Sequence, residues 1–142
     1  MAKGLGRGRI GREVIVETDR GQSEDAPPRW KPYRDGARLD ENYIDLTDTD
    51  RVYLALWYDD HQLTDFVMIQ QIKRRSRWSE IVKVDCCHQE VHAHQRKPDD
   101  SETRKTLQEV QGPADLRIGL DKANDLIFKH WQNNVRRWRR GC

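Results

Sequence analysis

Asp50–Gln95, DRVYLALWYDDHQLTDFVMIQQIKRRSRWSEIVKVDCCHQEVHAHQ, decides the fold of this chain. Four segments in it are rich in β-branched and aromatic residues: Asp50–Tyr58, Asp65–Lys73, Trp78–Cys86 and Glu90–Gln95. Each has the composition of a strand. Between them lie short polar links, Asp59-Asp60-His61-Gln62 and the basic run Arg74–Arg77. Consecutive strands joined by short turns predict an antiparallel meander.

Upstream, residues 1–9 (MAKGLGRGR) read as a flexible basic arm, because glycine gives the backbone no fixed geometry. Ile10–Thr18 reads as a further short strand, and residues 19–40 as a Pro- and Gly-containing loop with Trp30 and Tyr33 placed to pin it to the body. Downstream, residues 96–112 read as a polar bridge. Gly112-Pro113 then opens a helix, with proline tolerated in the first turn. Leu116, Leu120, Ala123, Ile127, Trp131, Val135 and Trp138 recur three or four apart and form one apolar stripe on a helix of about six turns. Asp115 near its start and arginines near its end suit the helix dipole. The expected fold is therefore α+β: an antiparallel sheet of four to five strands with one face covered by a long C-terminal amphipathic helix. The expected organisation is an arm, short strand and loop over residues 1–40 and a compact domain over 41–142.

The composition limits the core. Apolar residues make up 35% of the 142-residue chain and charged residues another 35%, against the roughly 45–50% apolar content usual in globular proteins. The net charge of +2 hides segregation. Basic clusters lie at Lys3–Arg12, Lys73–Arg77 and Lys129–Arg140, and an acidic stretch runs from Asp35 to Asp65. Such separation can steer a polyanion to one side of a protein. The other reading is solubility with internal ion pairs. Three cysteines, two of them adjacent, make no disulfide framework and suit a reducing cytoplasm. No apolar run approaches the roughly 18 residues of a membrane span, and the basic start has no apolar stretch after it to make a secretory signal.

Trp78–Gln95 also concentrates the chemistry, holding three of the five histidines and two of the three cysteines. His92 and His94 sit two apart, so in a strand both rings share one face while Val91 and Ala93 take the other. The apolar pair should meet the helix, and the imidazoles should face solvent or a cleft. Two imidazoles with a nearby arginine, Arg96 or one from Arg74–Arg77, could serve as base, acid and phosphate-binding cation in metal-independent RNA cleavage. Asp85 could orient a histidine, and His88 lies across the turn. A metal reading would draw a third ligand from His88, Asp85, Cys86 or Cys87, but no Cys-x-x-Cys pair supports it, and neither metal nor cofactor is expected. The remaining reading makes the histidines exposed strand residues hydrogen-bonded to Asp85 or the turn. The cysteines read as one buried and one exposed thiol rather than nucleophiles.

For nucleic-acid binding the candidates are Arg74, Arg75, Arg77 and Trp78 at a hairpin tip, Arg96, and Arg136, Arg137, Arg139 and Arg140 around Trp138. Arginines contact phosphate while an aromatic ring stacks on an unpaired base. Trp131 and Trp138 also fit a packing role on the apolar stripe.

Trp78, Val82, Lys83 and Asp85, followed by His92 and His94 and a C-terminal helix, give Val52–Trp138 a pattern that resembles the TumE-type toxins of bacterial toxin–antitoxin pairs. The resemblance implies a compact α+β protein that inhibits growth by acting on RNA and is neutralised by a partner protein. It carries Asp85, His88, His92 and His94 as site residues. The Cys86-Cys87 pair, the 19–40 loop and the basic arm depart from it. The function expected is thus a small cytoplasmic RNA-acting protein of ribonuclease-toxin type. The alternative is a non-catalytic nucleic-acid-binding or assembly protein.

Overall fold

The computed structural model describes residues 29–141. The basic arm, the strand expected at Ile10–Thr18 and the first part of the 19–40 loop lie outside the described residues. Six strands follow one another in a single antiparallel sheet whose spatial order is its sequence order. They are β1 (Arg38–Asp45), β2 (Asp50–Asp59), β3 (Gln62–Arg74), β4 (Arg77–Cys87), β5 (Glu90–Arg96) and β6 (Glu102–Glu109). Helix α1 (Pro113–Asn124) runs through a π-helical turn (Asp125–Lys129), and after His130 the chain resumes as α2 (Trp131–Arg139).

The protein is therefore mostly β. This corrects the expected α+β fold of four to five strands and a single long helix. Both extra strands are edges. β1 is exposed at nearly every position and β6 at all but two. A strand buried on neither face carries no period-two hydrophobic pattern, so the expected loop over 19–40 takes in the start of β1, residues 41–49 suggest no element, and β6 falls in the expected polar bridge. The loop ahead of β1 is pinned as expected. Trp30 packs against the core, its carbonyl accepts from Gln89 Nε2 at 2.8 Å, and the Tyr33 amide donates to the Thr64 carbonyl at 2.9 Å.

The helices lie on the sheet face that carries Val52, Met68, Val84 and Val91, all fully buried. Leu116, Leu120, Ala123, Ile127, Val135 and Trp138 from the expected stripe are buried against them, and Trp131 is half-buried. Burying such side chains stabilises the fold by about 1.5–3 kcal/mol each. α1 comes very close to β5 at Gly119, where a Cβ would lie 2.5 Å from Val91 Cγ2. At the helix start Pro113 takes the first turn, and the Asp115 carboxylate accepts the Gln111 amide at 2.9 Å.

Two buried amides explain where the helix departs from α geometry. Gln70, on the core face of β3, donates to the Trp131 carbonyl at 3.0 Å. Asn134 Nδ2 donates both to Gln70 Oε1 at 2.9 Å and to the Leu126 carbonyl at 3.0 Å. A π turn misaligns backbone groups that an α-helix would pair, and here side-chain amides satisfy them.

Candidate functional site

The antiparallel path puts the β3–β4 and β5–β6 turns at one end of the sheet, and α2 finishes at that same end. The Arg74 guanidinium lies 4.6 Å over the Trp138 ring. That contact joins the hairpin cluster (Arg74, Arg75, Arg77, Trp78) to the helix-end cluster (Arg136, Arg137, Arg139, Arg140), which are about sixty residues apart in sequence. A cleft of about 430 Å³ at the tip is lined by Arg74, Arg75, Arg77, Trp78 and Ser79 and by no carboxylate among the described residues. A second cleft of about 390 Å³ continues from Arg74 and Trp78 toward Lys97 and Trp138, with Glu80 and Asp100 also in its wall.

Trp78 borders both clefts. The Arg51 guanidinium lies 3.9 Å from its ring centroid and 4.1 Å from that of Tyr43, while Arg51 Nε donates to Gln71 Oε1 at 2.6 Å. The indole is thus held in place by a cation that is itself held. Arg75 and Ser76, the two residues of the tight turn, have φ of 53° and 65°. Neither is glycine, and left-handed backbone costs such residues about 1–3 kcal/mol each. The tip keeps a strained arginine where Asn-Gly would be the easier turn.

The other expected cations are engaged to different degrees. Arg96 sits between carboxylates, 3.4 Å from Glu80 and 3.6 Å from Glu102. Arg136 hydrogen-bonds Asn133, and Arg137 Nη2 donates to Asn134 Oδ1 at 2.9 Å. Arg139 is exposed.

The histidine cluster lies on the sheet face opposite the helices, where Glu102 links His94 to Arg96. His92 and His94 do share a face, with centroids 6.2 Å apart and rings nearly perpendicular. Val91 and Ala93 turn to the helix side as expected. The expectation that both imidazoles face solvent or a cleft is not met: His92 is only 4% exposed. Its Nε2 hydrogen-bonds Glu90 Oε1 at 2.7 Å, and its buried Nδ1 has no partner. His94 is clamped, with Nδ1 2.7 Å from Glu102 and Nε2 3.1 Å from Asp85. These hydrogen bonds hold the carboxyls of Glu90 and Glu102 below their ordinary range.

Asp85 thus touches His94, and it also lies 3.8 Å from Lys83. His88 stands apart on the exposed β4–β5 turn, with φ of 54°. Burial pushes the Cys86 thiol far up, with Asp65 adding to the shift. Cys87 is exposed and both are free thiols. Among the described residues, no three histidine, cysteine or acidic side chains are grouped to hold a metal ion. No described helix is long and apolar enough to cross a membrane.

Several organising residues escape a reading of the sequence. Gln70 and Asn134 were detectable as polar residues at core positions of a strand and a helix. Glu102 sits in a polar stretch that carries no such signal.

The architecture is a six-stranded antiparallel meander with one face capped by a bent helix. A family model described as a domain of unknown function, DUF7718, matches residues 37–142, and the chain belongs to that family. The matched span takes in every strand and helix described above. Comparisons with curated proteins and with solved structures give no match.

Proposed function

We propose that this protein binds RNA at the basic end of its sheet, without cleaving it. The contact of Arg74 with Trp138 carries this reading, because it merges two separate arginine clusters into one surface around the held Trp78 ring. Arginines there would neutralise phosphates, and the indole edge facing the clefts would take an unpaired base. Such a ligand and the free thiols Cys86 and Cys87 fit a cytoplasmic setting. The test is fluorescence anisotropy with a labelled single-stranded RNA across a salt series. The Arg74→Glu, Arg75→Glu, Arg77→Glu variant should bind at least about tenfold more weakly, with a salt slope shallower by about 2. Equal affinity in the folded triple variant would refute the proposal.

A second reading, a ribonuclease toxin with an antitoxin partner, draws on the resemblance to TumE-type proteins and on the shared face of His92 and His94. It requires both rings to leave their carboxylate partners when substrate binds. Digestion of labelled RNA in the presence of chelator by wild type, and not by His92→Ala, would favour it over simple binding.

A further inference from the structure

Between the helix and the outer strands β4–β6 lies a pocket of about 270 Å³, separate from the two clefts around Trp78 and sharing Arg137 with the helix-end cluster. Its floor is aliphatic, formed by Val82, Ala93 and Leu126. Gln95 and Thr103 supply an amide and a hydroxyl, and Arg104, Lys105 and Arg137 supply positive charge. No carboxylate lines it among the described residues. An enclosed apolar floor with a few convergent polar groups is the usual construction of a small-ligand site.

Arg137 is fixed before any ligand arrives. Its Nη2 donates to Asn134 Oδ1 at 2.9 Å. In the amide orientation that satisfies both partners, the Gln95 side-chain oxygen accepts from Nε and Nη2 of the same guanidinium. Among the described residues Nη1 has no hydrogen-bond partner. Asn134 is in turn held by Gln70 and by the carbonyl exposed at the π turn. The network thus aims a cation into an apolar pocket and leaves one nitrogen for an incoming acceptor. Held donors cost less ordering on binding than mobile ones.

We propose that this pocket binds a small organic anion, with a compact apolar body on Val82, Ala93 and Leu126 and a single carboxylate or phosphate head between Lys105 and Arg137. Such a head occurs on free short-chain acids and on mononucleotides. The site does not depend on RNA binding at the basic end.

The test is a methyl NMR titration of the full chain with octanoate, with uridine 5′-monophosphate and with inorganic phosphate as separate arms. Saturable shifts at the Val82, Ala93 and Leu126 methyls with octanoate or the nucleotide are expected, and the responding arm identifies the source of the head group. Affinity should fall about tenfold in Lys105→Glu and in Arg137→Gln. Lys105 is exposed on an edge strand, so that variant reports on charge even if Arg137→Gln unsettles the helix. No shift at the three methyls in either organic arm would overturn the proposal. So would binding that Lys105→Glu leaves unchanged, or inorganic phosphate binding as tightly as the organic anions.

Discussion

Gly119→Ala should destabilise the protein although it places the best helix former inside a helix. Alanine gains about 1 kcal/mol in helix propensity over glycine. The new Cβ would lie 2.5 Å from Val91 Cγ2, 3.2 Å from Cβ and 3.5 Å from Cγ1, where carbon atoms settle at about 3.5–4.0 Å. Val91 is fully buried and β-branched. Rotating its side chain does not relieve the contact at Cβ itself, so helix and strand must part. Overpacking of this kind costs about 1–3 kcal/mol, and the Cβ contact places this case in the upper half. The net loss should be about 1–2 kcal/mol once the propensity gain is subtracted. Urea denaturation followed by circular dichroism would measure it. Val91→Ala alone should cost about 2 kcal/mol through lost burial. The double variant should lose at least about 0.5 kcal/mol less than the sum of the singles, because the new methyl fills the vacated space. Gly119→Ala as stable as wild type, or strict additivity, would refute the argument that α1 is seated on β5 by this contact.

Ser76→Gly should raise stability by about 1 kcal/mol by relieving a left-handed position, read as a higher urea midpoint; no gain would mean the turn is unstrained. The carboxyls of Glu90 and Glu102 are depressed below their ordinary 4.5 by hydrogen bonds from His92 and His94. A depressed carboxyl stabilises the fold above its unfolded value and loses that contribution as pH falls through the lower folded one. The urea midpoint of wild type should therefore converge on that of Glu102→Gln below about pH 4.5, and a gap that persists in acid would contradict the clamp on His94. Alkylation should modify Cys87 at least about tenfold faster than Cys86, read by peptide fragmentation, since burial disfavours the Cys86 thiolate.

The four central strands were legible because each is rich in β-branched and aromatic residues, which supply buried side chains such as Val52, Met68, Val84 and Val91, and side chains along a strand take opposite faces with a period of two. The shared face of His92 and His94 followed from the same period. β1 and β6 were not legible, since residues like Asn42 and Thr106 bury nothing that a pattern could reveal. The helix break was hidden for another reason: Ile127 and Val135 keep the apolar spacing across it, and the cause lies in Gln70, distant in sequence. The basic clusters were visible separately. Their union was not, because it depends on where α2 ends, which the Gly119 seam and the Gln70–Asn134 contacts set. A contact from Asp85 to a histidine was among the expected readings, but spacing could not foresee that Glu90 and Glu102 would occupy the imidazoles, as Glu102 arrives on an unrecognised strand.

A π turn holds about one residue more than an α turn, and each residue advances a helix by about 100°. Everything after Asp125–Lys129 is indexed by that extra residue. Deleting it would swing Arg137 away from Gln95 and carry Trp138 off Arg74, with every side chain at the terminus still present. Chains sharing this domain can therefore re-aim the same set of cations by a one-residue change in length, and insertions or deletions in this short segment should track differences in ligand preference.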